Sequence, residues 1–129
     1  MVQTCQQRWK VLVVDDHPMM RSALASECQA VDCIIQTAGN GLEALQALDS
    51  FEPDVIVLDL HMPVMAGGEF ARRYRARPDG RAAIILVSAE PELERLARSI
   101  GAVGWAPKQE AGSLRRALLS LLATAKVKA

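Results

Sequence analysis

Cysteine is scarce in this chain. Cys5, Cys28 and Cys33 are the only three in 129 residues, and no two of them form a Cys-x-x-Cys pair. An odd number at such spacings excludes a disulfide-stapled secreted scaffold. Net charge is absent too: 15 Lys and Arg balance 15 Asp and Glu. The chain as a whole therefore lacks the basic excess of a nucleic-acid binder and the basic face of a membrane-surface protein. No segment approaches the roughly 18 consecutive apolar residues of a membrane span. The polar stretch from Met1 to Lys10 lacks the apolar core of a signal peptide. The expected compartment is the cytoplasm, where thiols stay reduced. Two histidines, His17 and His61, with no Cys or His at ligand spacing make a poor zinc site. No Gly-x4-Gly-Lys-Ser/Thr phosphate loop occurs. What is left, half apolar and 23% charged, has the composition and length of one domain with its own core.

What is present is a rhythm. Short aliphatic runs recur at Val11–Val14, Val55–Leu58 and Ala83–Val87, with weaker candidates at Cys33–Ile35 and Gly101–Trp105. Continuous runs without alternation are expected of strands buried on both faces, as in a parallel sheet. Amphipathic stretches lie between them. Pro18–Ala30 places Met19, Met20, Ala23, Leu24 and Val31 near one stripe, and Asn40–Ser50 does so with Leu42, Leu45 and Leu48. Asn40 with Glu43 reads as a capping box. A third helix is expected from Gly67 or Gly68 to Ala76 and a fourth through Leu93, Leu96, Ala97 and Ile100, stopped by Gly101. A fifth is expected from Ser113 to about Ala125. Five strand–helix units in alternation predict a doubly wound α/β fold, a three-layer sandwich around a five-stranded parallel sheet. One domain is expected over residues 10–126, with residues 1–9 as a lead-in and 127–129 as a tail.

In such a sheet the site belongs at the carboxyl ends of the strands, near the switch in strand order. Those ends carry Asp15 and Asp16, then Asp59, Ser88 and Lys108. Carboxylates brought together resist ionising side by side, and a hard divalent cation relieves the repulsion. Metal, lysine and hydroxyl together make a receptor for a phosphoryl group. Each feature alone has a plainer reading: the Asp pair as a helix N-cap, Asp59 as a loop residue, Ser88 as an ordinary strand end.

As a set they resemble the receiver domain of bacterial response regulators. The resemblance rests on Asp15-Asp16 after an aliphatic strand, Asp59-Leu-His-Met-Pro63 with Gly67, Val87-Ser88-Ala89, and Gly101-Ala-x-Gly-Trp105-x-x-Lys108. It covers the chain from about Lys10 onward and implies a flavodoxin-like (βα)5 fold. It implies that Asp59 accepts a phosphoryl group from a histidine kinase or phosphotransfer protein. Mg²⁺ or Mn²⁺ is then held by Asp15, Asp16, Asp59 and the backbone carbonyl of His61. Lys108 and Ser88 are implied to contact phosphoryl oxygens, and Ala89 to leave them room. Trp105 takes the place of the family's switch aromatic. His61 and Glu90, each two residues past a site residue, are implied to flank the phosphoryl group and tune its hydrolysis. The output implied is a changed surface of the fourth helix, fifth strand and fifth helix, read by a partner or output domain. A homodimer through the same elements is compatible with it. Neither direct nucleic-acid binding nor membrane association is implied, and no activity beyond self-phosphorylation and autodephosphorylation.

Two residues depart from the family pattern. Gln109 follows Lys108 where proline is usual, and a cis bond to a non-proline residue costs about 2.5–4 kcal/mol, so an altered Lys108 position is expected. Trp105 is larger than the usual tyrosine or phenylalanine and carries an N–H that needs a partner. These keep open a degenerate receiver that binds partners without phosphorylation. A dehalogenase-like phosphatase, another Asp-nucleophile class, fits less well, because it wants Asp-x-Asp early in a longer chain. The remaining features have plain expectations. Cys28 and Cys33 are expected reduced and partly buried, Met19 and Met20 in the core, and both histidines solvated. Arg72, Arg73, Arg75, Arg77 and Arg81 are expected to form a solvated face, and Arg95, Arg98, Arg115 and Arg116 to lie near the output surface.

Overall fold

The structure, a computed structural model, describes residues 8–124. Cys5, Ala125 and the expected tail 127–129 lie outside the described residues. Elements alternate strictly: β1 (Trp9–Val14), α1 (Pro18–Cys28), β2 (Cys33–Ala38), α2 (Gly41–Ala47), β3 (Val55–Asp59), α3 (Gly67–Arg75), β4 (Ala83–Ser88), α4 (Leu93–Ser99), β5 (Gly104–Pro107) and α5 (Ser113–Thr124). The strands form one parallel sheet in the order β2-β1-β3-β4-β5. The doubly wound fold expected from the aliphatic runs is thus present. β1 takes in Trp9, within the expected lead-in.

Strand side chains alternate between faces, so each aliphatic run feeds two cores. Leu12, Val14, Ile56, Leu58 and Ile84 pack with Phe70 and Tyr74 of α3 on one side. Val11, Val13, Val55, Val57, Ile85 and Val87 pack with Leu24 of α1 and Leu114 and Leu118 of α5 on the other. Burying each such side chain contributes about 1.5–3 kcal/mol, which is why Val11–Val14, Val55–Leu58 and Ala83–Val87 run through the sheet with no polar interruption. Leu86 faces α4, meeting Leu93 and Ala97.

Several boundaries and environments differ from expectation. The run Gly101–Val103 is not strand: Gly101 has φ +77° and ends α4 in a left-handed turn, and β5 begins at Gly104. Met19 is 78% exposed and not in the core, whereas Met20 packs against it. Leu42 also faces solvent. Only Leu24 and Cys28 of α1 are buried, so periodicity overstated its buried face. Cys28 and Cys33 are buried free thiols, more enclosed than expected. Burial pushes the Cys28 thiol up to about 12. Asn40 caps α2 as predicted, accepting from the Glu43 N–H at 2.9 Å, but Glu43 returns to the Gly39 N–H at 2.9 Å, one residue early. In the arginine run, Arg75 is exposed as expected but also has a structural contact. It donates to the carbonyls of Gly80 and Ala82 at 3.0 and 2.8 Å and ties down the α3–β4 turn.

Candidate functional site

The register of β1 against β3 builds the centre of the site. Val14 lies beside Leu58, so the next residues, Asp15 and Asp59, emerge side by side at the switch point. Asp15, Asp59 and Ser88 are the buried polar side chains among the described residues, at 0%, 3% and 2% exposure. Asp16 stands exposed at the rim. Carboxylate oxygens of Asp15, Asp16 and Asp59 lie within 4.8 Å of one another.

Lys108 closes the cluster. Its Nζ lies 2.9 Å from Asp15 Oδ2 and 3.0 Å from Asp59 Oδ1. The ammonium is the sole partner of that buried Asp15 oxygen among the described residues. Asp15 Oδ1 accepts from the His17 N–H at 2.9 Å, and Arg21 Nη1 donates to the Asp15 carbonyl at 2.8 Å. Every described peptide bond is trans, including Lys108–Gln109, and the lysine still reaches both aspartates. The altered position expected from the missing proline does not take Lys108 out of the cluster.

Three carboxylates against one ammonium leave the cluster formally at −2. Burial pushes the Asp59 carboxyl above its usual range, with the Lys108 ammonium pulling the other way and Asp15 and Asp16 adding to the rise. Burial works against the charge of Lys108, but its contacts with Asp15 and Asp59 outweigh it and hold the ammonium above its ordinary value. Both shifts are upward because the aspartate answers to burial and two like charges, the lysine to two opposite ones. A crowded all-oxygen set short of positive charge suits a hard divalent cation.

Ser88 ends β4. Its Oγ accepts from the Glu90 N–H at 3.1 Å, and its own proton has no protein acceptor among the described residues. An open crevice of about 380 Å³ is lined by Asp59, Ser88, Ala89 and Lys108. His61 Nε2 meets Glu90 Oε1 at 3.2 Å across its mouth. Gly67 sits against the backbone of Asp59: a Cβ there would come within 2.2 Å of the Asp59 carbonyl oxygen. Trp105 is half-buried beside Leu86 and α4, with the Arg98 guanidinium 5.9 Å from its ring centre.

All the residues singled out at the strand ends are therefore brought together. His17 is not merely solvated. Its Nδ1 accepts from the Met20 N–H at 3.3 Å and caps α1, the role the Asp pair had been a candidate for. Pro18 at the first helical position was the available sign of that cap. Nothing in the sequence pointed to Arg21 as a tie to Asp15.

The response regulator receiver domain family, compared with this chain, matches residues 11–118. The chain belongs to that family. This receiver is 37% identical over 101 residues to the positive alginate biosynthesis regulatory protein of Pseudomonas aeruginosa, covering 76% of this chain and 40% of that one. It spans less than half the length of the curated relatives it matches first. Among solved structures it resembles the chemotaxis response regulator CheY4 of Vibrio cholerae, with TM-score 0.79, 29% identity and coverage of 90% and 99% of the two chains. It also resembles the response regulator TrrA of Thermotoga maritima, solved in complex with Mg²⁺-BeF, with TM-score 0.75, 32% identity and coverage of 88% and 98%. No described helix of the receiver is long and apolar enough to cross a membrane.

Proposed function

We propose that this receiver is a phosphoryl-accepting switch, with Asp59 as acceptor. The observation that carries the reading is the Lys108 ammonium set between two buried carboxylates, Asp15 and Asp59, beside an uncommitted Ser88 hydroxyl. A carboxylate oxygen of Asp59 attacks the phosphorus of a phosphohistidine. The O–P bond forms, the P–N bond breaks, and the leaving imidazole takes a proton from solvent. The product is an acyl phosphate, labile enough for a reversible signal.

Lys108 supplies fixed positive charge to one phosphoryl oxygen, and the Ser88 hydroxyl turns to donate to another. Asp15, Asp16, Asp59 and the His61 carbonyl are the residues that would hold Mg²⁺ or Mn²⁺, which supplies the charge that lets a dianionic phosphoryl group approach three aspartates. The Mg²⁺-BeF bound by the Thermotoga relative supports that assignment. His61 and Glu90, paired at 3.2 Å over the opening, would limit access of hydrolytic water. When Ser88 turns inward it vacates space beside β5, and rotation of Trp105 would carry the change to the α4–β5–α5 face. A kinase or phosphotransfer protein is the donor, and a partner or output domain reads the face. A few kcal/mol of differential contact suffices to shift such an equilibrium.

The test is to incubate the protein with Mg²⁺ and a small acyl phosphate and weigh it intact. One phosphoryl adduct on the native chain, absent from Asp59→Asn, supports the switch. No adduct on the native chain points to a receiver that acts without phosphorylation. Steady phosphate release without an adduct points to a phosphatase.

A further inference from the structure

Lys108 is held in place by a residue on another element. The lysine sits in the loop after β5, where exposed Gln109 brings no ring to stiffen the chain. The peptide unit just before it is nevertheless gripped at both ends. The Lys108 N–H donates to the Ser88 carbonyl at 3.0 Å, which extends the β4–β5 ladder by one residue. The Pro107 carbonyl, at the other end of the same peptide, accepts from the Glu110 N–H at 3.2 Å and from the Ser113 Oγ–H at 2.9 Å. With both ends tied, the peptide plane that carries the Lys108 Cα is held in place, and the side chain that leaves it reaches both aspartates.

We infer that Ser113 is the positioning residue for Lys108, through its hydrogen bond to the Pro107 carbonyl. The inference deepens the reading above, in which Lys108 acts on the phosphoryl group. Ser113 is the first residue of α5, but its hydroxyl bonds backward across the loop and not onto the N–H groups of its own helix. Its role is therefore not that of a cap. The Glu27 carboxylate of α1 fixes the same turn from outside, accepting from the Arg115 N–H at 3.0 Å. The first turn of α5 is thereby a firm anchor for the loop.

A test that needs no phosphoryl transfer is the labelling rate of lysine amines by an amine-reactive ester, read residue by residue by mass spectrometry. Lys10, on β1 at the opposite end of the sheet, is the internal reference. Ser113→Ala should raise Lys108 labelling relative to Lys10 by about fivefold, the ratio that one lost hydrogen bond is worth. Ser113→Thr, which keeps the hydroxyl, should restore the native ratio. Unchanged Lys108 labelling in Ser113→Ala overturns the inference. So does an equal rise at Lys108 and Lys10, which would mark general loosening, or a Ser113→Thr variant that behaves like Ser113→Ala. A native protein that labels as expected but gains no phosphoryl adduct would defeat the switch reading and leave the assignment of Ser113 standing.

Discussion

Asp59 holds a carboxylate where its surroundings disfavour one. Its native pKa is raised, chiefly by burial, above the roughly 3.9 of an unfolded chain. A group raised in this way costs nothing below the unfolded value, and its ionisation weakens the fold as pH climbs through the native one. Asp59→Asn should therefore unfold at a higher urea midpoint than the native chain at neutral pH without divalent cations. The gain should shrink as pH is lowered toward about 4, where the native carboxyl is protonated as well. Equal midpoints at neutral pH would mean that Lys108 fully offsets burial. Residue identity was legible at this scale wherever a polar side chain ended an aliphatic run, as Asp59 and Ser88 do. For His17 the periodicity left no trace of a cap made by Nδ1, and only Pro18 after it marked the helix start.

At the scale of elements, α3 carries the sharpest contrast. Gly67 and Gly68 are adjacent and both helical, yet a Cβ at Gly67 would meet the Asp59 carbonyl at 2.2 Å whereas the nearest atom to one at Gly68 is 4.0 Å away. Gly67→Ala must push α3 off the end of β3, at a cost of about 1–3 kcal/mol or more, and should lower adduct yield by displacing Asp59. Gly68→Ala gains helix propensity worth up to about 1 kcal/mol and should leave the yield intact. Urea unfolding with intact-mass measurement of both variants checks the pair, and similar losses in both would contradict the packing argument. The elements themselves were legible in order and kind, since the apolar runs and stripes are local. Their ends were less so. Gly101 to Val103 reads as the approach to a strand, but the left-handed turn at Gly101 delays β5 to Gly104.

For the whole molecule, zero net charge conceals a crevice at −2. A ligand that binds only the folded state stabilises it by RT ln(1 + [L]/Kd), about 2.7 kcal/mol at a hundred times Kd. Saturating Mg²⁺ should raise the unfolding midpoint of the native chain accordingly. Asp16 is exposed at the rim, so Asp16→Asn should leave metal-free stability within about 0.5 kcal/mol while reducing the Mg²⁺ shift. An undiminished shift in that variant would remove Asp16 from the cation site. Measuring both in the same buffer separates a ligand's role from a structural one.

The amino-acid sequence by itself determined the alternation of strands and helices, the parallel sheet and the chemistry waiting at its strand ends. Hydrophobic period and run length are properties of neighbouring residues, and burial on two faces leaves an aliphatic run no other home. Only the tertiary structure decided which of those ends meet. Asp15 and Asp59 touch the same ammonium because β3 crosses over to lie beside β1, and Lys108 reaches them from the far edge of the sheet because β5 pairs with β4. The same holds for Met19 left in solvent, Arg75 turned onto backbone carbonyls and Ser113 reaching back to Pro107. Each depends on the distance between segments far apart in the chain, and only packing sets that distance.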